Sequence, residues 1–265
     1  MTAGRNIFHY VSRRLWRVWQ RNWTVYRKNW KISFLPPLLE PLLYLLAFGV
    51  GLSALVGTVR YGGKDISYIE FIAPALIAVN IMYNAFFETT YASYVRMYYQ
   101  KTFDAMMATP LSLEEIIIGE IVWGATKAVI ATLIMMAVIS GFGLISYPGG
   151  FVIIPLAVLG GLAFGAIGMT FTAIVKGIDL FNLPIFLFIT PMFLFGGTFF
   201  PLEALPSWAR NPAFLFPLTH LVNSVREFAG GAPGPLSMWG VLYLVAFTLV
   251  FLPLSVLKMR RRLIH

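Results

Sequence analysis

Six apolar runs, each long enough to cross a bilayer, restrict the fold of this chain more than any other feature. They cover roughly 33–57, 67–91, 114–145, 151–175, 180–200 and 236–257. About 20 helical residues cross a hydrocarbon core that is about 30 Å thick. Because unpaired backbone groups are very costly in lipid, each run is expected to be a helix. The sequence therefore predicts an all-α integral membrane protein with six transmembrane helices.

The distribution of positive charge predicts the orientation of these helices. Eight Lys and Arg residues and no acid occur in the first 31 residues. With six crossings both termini share one side, and 15 of the 20 Lys and Arg residues then lie on that side, against four on the other. Short loops rich in Lys and Arg stay in the cytoplasm. Both termini are therefore predicted to be cytoplasmic.

Charge and composition also exclude several classes of function. The net charge of +9 comes from cations at the ends of apolar runs, so anionic lipid is the expected counter-charge and no nucleic acid partner is expected. The chain has no cysteine, and its three histidines lie far apart, which is poor material for a metal site. It also lacks the glycine-rich phosphate loop that holds ATP. We expect no metal, no cofactor and no catalytic residues on this chain.

Residues 1–31 combine aromatic and basic positions in a pattern typical of a helix on a membrane surface. Trp16, Trp19, Trp23, Tyr26 and Trp30 recur at three- and four-residue steps, so they share one helical face. Indole rings prefer the headgroup level, which predicts a cytoplasmic amphipathic helix in the interface plane. Two roles are open: a simple anchor, or a lever that couples a cytoplasmic partner to the spans.

The segment after the second run contains a short helix with an aromatic and methionine face. Thr102 through Ala108 form this helix in the prediction, Thr109-Pro110 ends it, and Ser112 with Glu115 forms a capping box for the next helix. Such a face suits a groove on another protein. The residues favour this interpretation and simple packing on the chain's own bundle equally.

Four prolines break the apolar segment between the fifth and sixth runs. Pro201, Pro206, Pro212 and Pro217 leave stretches too short to span. A pair of short helices that dip back into the outer leaflet fits this pattern, provided that protein or a water-lined cavity covers the irregular backbone.

Polar side chains recur at four-residue steps along the second run. Asn80, Asn84 and Glu88 share one face, with Tyr83 and Phe87 beside them. A polar stripe is expensive in lipid, so it should face protein or a cavity, either as helix-to-helix contact or as the lining of a route for sugar hydroxyls. A cation of the interfacial helix is the expected partner of Glu88. Glu120 and Lys127 are expected to find separate partners.

The order of these segments resembles the ABC-2 type transporter permease family. The resemblance is carried by Gln100-Lys-Thr-Phe-Asp-Ala-Met-Met-Ala-Thr-Pro-Leu-Ser, by Thr190-Pro-Met-Phe-Leu-Phe-Gly-Gly-Thr-Phe-Phe-Pro-Leu and by Phe216-Pro-Leu-Thr-His. It covers nearly the whole chain and is strongest toward permeases of lipooligosaccharide (nodulation-factor) exporters. It implies one domain over 1–265, with the interfacial helix at 1–31, the six-span bundle at 32–257 and a basic cytoplasmic tail at 258–265.

The resemblance also implies partners and sites. Two copies of the chain would pair in the cytoplasmic (inner) membrane of a bacterium or archaeon and bind two ABC ATPase subunits, which would carry ATP and Mg. Export of an amphipathic glycolipid, a lipooligosaccharide or a drug-like molecule would follow. The coupling helix would comprise Gln100, Lys101, Thr102, Phe103, Asp104, Met106, Met107 and Thr109, and the outer gate Phe200, Pro201, Trp208, Phe216 and His220.

Two other classes of function remain open from the residues. An integral-membrane enzyme acting on lipid would use Glu88, Glu120 or His220 as acid or base. A secondary transporter driven by an ion gradient would use Glu88 or Lys127 as its coupling site. Only an ATP-driven exporter should require a separate ATPase.

Overall fold

The computed structural model describes residues 12–31, 35, 39, 42–52, 56–231 and 234–264. Nearly all of its regular structure is helical. A π-helical stretch covers Leu45–Leu52. The helices are α1 Leu15–Lys28, α2 Tyr68–Phe87, α3 Thr102–Met107, α4 Leu113–Gly141, α5 Ile153–Ile174, α6 Ile178–Phe195, α7 Ser207–Ala213, α8 Pro217–Ala229 and α9 Pro235–Leu263.

Five helical stretches in the described residues are long and apolar enough to cross a membrane. They are Tyr68–Tyr99, Leu113–Gly141, Gly149–Ile174, Ile178–Phe195 and Pro235–Leu263. These stretches agree with five of the six predicted spans, so an all-α membrane fold is confirmed. The remaining prediction, 33–57, falls partly outside the described residues.

Two of the five stretches contain π-helical turns. α2 continues as π-helical turns at Glu88–Ala92 and Val95–Tyr99. α6 contains a π-helical stretch at Ile185–Ile189, between Pro184 and Pro191. In α6, the prolines remove backbone donors from the regular helical pattern, and the wider turn lies between them.

A small β-hairpin precedes α2 and is an addition to the all-α prediction. Strands β1 Thr58–Tyr61 and β2 Lys64–Ser67 pair antiparallel, with Tyr61 opposite Lys64. Gly62 and Gly63 form the turn, both with positive φ, a conformation that glycine adopts without steric cost. Ser67 then caps α2, because its hydroxyl accepts from the Glu70 N–H at 3.4 Å.

The hydrophobic core divides into two clusters along the bundle. The larger one joins α2, α4, α5, α8 and α9, and includes Phe71, Phe164 and Leu221. The smaller one lies around α3 and the end of α9, and includes Phe103, Phe181 and Met259. Close packing of α5 depends on glycine, since a Cβ at Gly161 would lie 2.7 Å from the Cα of Ala125 on α4.

Contacts at the helix ends show which elements share an end of the bundle. Arg260 of α9 pairs with Glu114 at the start of α4, and Ser12 donates to Glu115. The beginning of α1 and the end of α9 therefore lie together. Arg226 of α8 donates to carbonyls of Phe71 and Gly197, which places α8, the start of α2 and the end of α6 at the opposite end.

Two short helices, α7 and α8, separate α6 from α9, as the four prolines predict. α8 is amphipathic and packs against α2 and α9, while α7 stays near the end of α6. The re-entrant arrangement of these two helices in the outer leaflet stays a prediction.

Candidate functional site

The aromatic face of α1 packs on a tryptophan of α4. Trp16, Trp19, Trp23 and Tyr26 stack in sequence, with ring centroids 4.1, 5.5 and 5.9 Å apart. The last three rings also meet Trp123 edge to face at 5.7 to 6.4 Å. The shared helical face predicted for these residues is confirmed, and protein covers part of it. Trp30 lies beyond the end of α1 and is 53% exposed.

A glycine lets α1 approach α4 closely. Val18 of α1 is fully buried, and a Cβ at Gly119 would lie 2.7 Å from the Val18 Cβ and 3.3 Å from the Leu15 carbonyl oxygen. The first contact is closer than a methyl group tolerates and the second is tight, so the close approach of α1 depends on the missing side chain. Trp19 adds a hydrogen bond, because its indole N–H donates to the Thr126 hydroxyl at 2.9 Å.

Four charged side chains from the π-helical extension of α2 and from α4 form a group that we call the charged cluster, in which the two carboxylates are buried and the two cations are partly buried. Its members are Glu88, Arg96, Glu120 and Lys127. Glu88 pairs with Arg96 and with Lys127, each at 2.8 Å. Arg96 also pairs with Glu120, its Nε donating at 2.9 Å. Two carboxylates thus balance two cations, which buried charges require.

Neutral donors complete the coordination of both carboxylates. Glu120 is fully buried and accepts from Asn22 of α1 at 2.8 Å and from Ser93 at 2.6 Å. Glu88 is 6% exposed and accepts from the Trp123 indole at 3.0 Å. Since Asn22 belongs to α1, the interfacial helix is bonded directly into the charged cluster.

The partner expected for Glu88 is corrected by this geometry. No cation of α1 pairs with Glu88 among the described residues; Arg96 and Lys127 do so instead. The predicted separation of Glu120 and Lys127 is confirmed, since each pairs elsewhere.

The π-helical turns explain how Glu88 meets Arg96, which is eight residues further along the chain. Positions eight apart in a regular α-helix differ by roughly 80° around the axis. The π-helical turns after Glu88 rotate less per residue, which brings Arg96 back toward its side.

Arg21 extends the network from α1 toward α3. Its guanidinium donates to the Asn22 side chain at 2.8 Å and to the Thr102 hydroxyl at 3.5 Å. Partial burial lowers the pKa of Arg21, the nearby Arg96 lowers it further, and Glu120 acts in the opposite direction. An arginine keeps its charge despite such a shift, so Arg21 adds a positive charge to this end of the bundle.

A cavity of about 1020 Å³ lies directly beside the charged cluster. Its walls come from α1, α2 with its π-helical extension, α4, α6 and Tyr44, which directly precedes the π-helical stretch Leu45–Leu52. Aromatic and apolar side chains form one part, and polar or charged side chains form the other. The lining consists of Arg21, Asn22, Val25, Tyr26, Asn29, Tyr44, Tyr83, Asn84, Phe87, Glu88, Tyr91, Ala92, Val95, Arg96, Gln100, Trp123, Lys127, Ile178 and Ile185.

The structure brings four of the five predicted path residues to this cavity. Tyr83, Asn84, Phe87 and Glu88 line it, and the Tyr83 and Phe87 rings stack at 5.5 Å. Asn80 is buried behind them and accepts from the Asn84 amide at 3.0 Å. The hydrogen bond between the two asparagines therefore lies within α2 and does not join α2 to a neighbouring helix.

The predicted helix after the second span is present as α3. The capping box of Ser112 and Glu115 is confirmed as well. Phe103 is fully buried in the smaller core cluster, so packing on the chain's own bundle is the correct interpretation for this ring. The outward side of α3 carries Lys101 and Asp104, which are 67% and 57% exposed and 3.9 Å apart. Gln100 and Thr109 are exposed, while Met106 and Met107 are half-buried.

The predicted outer-gate residues divide into two groups. Phe200 and Trp208 are 58% and 72% exposed, and Pro201 precedes a short helical turn between α6 and α7. Phe216 packs against the larger core cluster. His220 of α8 contacts the Phe214 carbonyl at 2.8 Å and stacks on Tyr243 of α9.

Several residues of the site are not apparent from sequence. Arg96 reads only as one of the cytoplasmic cations, and Trp123 as one more apolar residue of a span. Their role depends on contacts between segments 24 and more residues apart, such as Arg96 with Glu120. The sequence does contain one signal of this site, a tryptophan four residues before a charged residue within a span, as in Trp123 and Lys127.

Comparison with known proteins agrees with this architecture. The sequence model of the ABC-2 type transporter family matches residues 13–228. Nodulation protein J of Rhizobium leguminosarum bv. trifolii is 36% identical over 248 residues, covering 94% of this chain and 93% of that protein. Nodulation protein J of Sinorhizobium fredii is 34% identical, with 93% of each chain covered. The inner membrane transport permease YadH of Escherichia coli is 24% identical, covering 88% and 91%. The chain therefore belongs to the ABC-2 type transporter family, as a multi-pass membrane permease.

Proposed function

We propose that this permease is the membrane subunit of an ATP-driven exporter that moves an amphipathic, glycolipid-like molecule outward. The cavity carries the proposal, because its lining joins an aromatic wall to a polar and charged one. Tyr83, Phe87 and Tyr91 offer faces for acyl chains or sugar rings. Asn84, whose amide nitrogen donates to Asn80, offers its side-chain carbonyl as an acceptor, and Lys127 offers the ammonium donors that Glu88 does not use. A molecule with one apolar and one polar part matches both. A lipooligosaccharide has this character.

A separate ATPase subunit is part of the proposal. α3 presents an exposed polar side at the same end as α1, and Arg21 connects Thr102 of α3 with Asn22 of α1. Asn22 in turn bonds Glu120 of the charged cluster, which borders the cavity. A partner that moves α3 would thus act on α1 and on the cavity wall through contacts already formed. ATP and Mg would be bound by the partner.

Six crossings with both termini in the cytoplasm fit the positions of the described elements. α1 lies at the end that holds the start of α4, while the hairpin of β1 and β2 leads into the start of α2 at the opposite end. The chain between Lys28 and Thr58 must connect these ends, which supports a span in the 33–57 region. The excess of Lys and Arg at the α1 end supports its cytoplasmic placement.

A homodimer completes the proposed transporter. α6 contributes Ile185 to the cavity, and its neighbours Phe186 and Leu187 are 68% and 76% exposed. An apolar face beside the cavity suits contact with a second copy within the membrane. α7 and α8 would then form the outer gate of the shared path.

Reconstitution with a candidate ATPase tests this function. The purified chain and an ATPase encoded beside it would be placed in inside-out liposomes with a fluorescent short-chain glycolipid. We expect co-purification of the two proteins and glycolipid accumulation that requires ATP. Accumulation driven by an ion gradient without the ATPase would instead establish a secondary transporter, and lipid turnover by the chain alone would establish an enzyme.

A further inference from the structure

A second pocket, of about 510 Å³, lies where the ends of α5 and α9 meet, away from the charged cluster. Its lining is Ala173, Ile174, Lys176, Lys258, Arg261 and Arg262. Four of these six residues are cations and none is an acid. They converge from two segments of the chain on one concavity of headgroup size.

The four cations differ in the contacts that they already make within the protein. Arg262 is half-buried, donates to the carbonyls of Thr172 and Val175 at the end of α5, and lies over the Tyr94 ring. It thereby offsets the negative end of the α5 dipole. Lys176, Lys258 and Arg261 are exposed, and none of them forms an ion pair within the part of the chain that the structure describes. Their charges therefore remain for a ligand.

An apolar surface continues from the pocket along the membrane spans. Ile174, 55% exposed, ends the Gly149–Ile174 span, and Leu257, 39% exposed, precedes Lys258 on α9. An anion that fits both surfaces has a phosphate for the cations and an acyl chain for Ile174 and Leu257. A free phosphate would contact only the cations, and a soluble protein would not need the apolar surface beside them.

We propose that the pocket formed by Lys176, Lys258, Arg261 and Arg262 binds the phosphate of an anionic phospholipid. Basic pockets between spans recognise such headgroups, and each nearby Lys or Arg strengthens binding several-fold. The lipid would bridge the ends of α5 and α9. This site does not depend on the exporter function, since it requires only that the chain lie in a membrane.

Lipid binding to the purified full chain in a neutral detergent tests the proposal. Native mass spectrometry would compare phosphatidylglycerol with phosphatidylcholine of the same acyl chains. We expect preferential retention of phosphatidylglycerol, and about 30-fold weaker retention by the Lys258→Gln/Arg261→Gln variant, taking about 1 kcal/mol for each cation. The charge-preserving Lys258→Arg/Arg261→Lys variant should bind phosphatidylglycerol as the parent does.

Arg13→Gln/Arg17→Gln is the matched control, because it removes two exposed cations at the same end of the bundle without touching the pocket. All variants must melt within a degree or so of the parent for the comparison to count. Equal retention of both lipids, equal losses in the control, or complete displacement by inorganic phosphate would overturn the lipid site. So would loss of ATPase capture with unchanged phosphatidylglycerol retention, which would assign the pocket to a protein partner.

Discussion

The side-chain amide of Asn22 donates to the carboxylate of Glu120 at 2.8 Å, and this bond joins the interfacial helix to the third predicted span. Both residues are buried, and Glu120 also holds Arg96. A helix that only anchored the chain in the headgroup region would not need a bond to a buried carboxylate. The contact therefore favours the lever role of α1 over the anchor role.

Glu120→Gln should destabilise the protein strongly. The change leaves Arg96 with one carboxylate where two now hold it, and breaking a buried pair costs about 3 kcal/mol or more. Thermal unfolding in detergent measures this loss. The control is Asp104→Asn, which removes the exposed Lys101–Asp104 pair and should cost below about 1 kcal/mol. Similar shifts for both variants would contradict the structural role of the charged cluster.

Gly119→Ala should loosen α1 from the bundle. The added methyl group meets Val18 and Leu15, and overpacking of this kind costs about 1–3 kcal/mol. Hydrogen–deuterium exchange should become faster across Leu15–Lys28. Gly141→Ala on the same helix is the control, because a Cβ there meets nothing within 4 Å. Unchanged exchange in the Gly119 variant would show that α1 is not seated through this contact.

Arg226→Lys should weaken the end of the bundle near the hairpin even though the charge is kept. Arg226 donates to the carbonyls of Phe71 and Gly197, both at 3.0 Å, and lies 3.8 Å from the centre of the Phe71 ring. A lysine cannot reproduce this planar fork, so a loss of about 2 kcal/mol is expected. The exposed Arg210 provides the control through Arg210→Lys. A melting temperature equal to the parent's would rule out the fork as a stabilising element.

Asn84→Leu should reduce transport several-fold while leaving assembly intact. The substitution replaces a polar group of the cavity lining by an apolar one of similar size, so the polar part of a cargo loses a partner. Glycolipid export in liposomes and ATPase co-purification are the two measurements. Gln20→Leu, on the exposed side of α1, should leave both unchanged. Full export by the Asn84 variant would remove this side chain from the path.

Periodicity and charge were enough to predict the helices, because both depend on neighbouring residues. Trp16, Trp19 and Trp23 are three and four residues apart, so helical geometry alone places them on one face. The partner of that face, Trp123, lies about 100 residues away, and helix-to-helix contacts at that separation depend on how the bundle packs. The same holds for Glu88 and Lys127, which are 39 residues apart.

Local departures from regular structure account for the other differences. The β-hairpin depends on Gly62 and Gly63, a short turn signal between strands of four residues, which is much weaker than the signal of the long apolar runs on either side. The approach of Glu88 and Arg96 depends on π-helical turns, which a regular 3.6-residue period does not include. Phe103 shows a further limit, since an aromatic residue on a short helix fits an internal core as well as a partner's groove.

The most direct test of the coupled-exporter account is whether ATP on a partner changes the width of the cavity. The chain has no cysteine, so spin labels at Val25→Cys of α1 and Ile185→Cys of α6 carry no background. Mixing the labelled chain with an excess of unlabelled chain leaves one labelled copy in a homodimer, so that one distance across the cavity is measured. With the ATPase bound, the account predicts one distance distribution without nucleotide and a clearly shifted one with trapped ATP. The chain alone should show no response to ATP. If the complex hydrolyses ATP and exports glycolipid but gives the same distance distribution with and without trapped ATP, the account is contradicted.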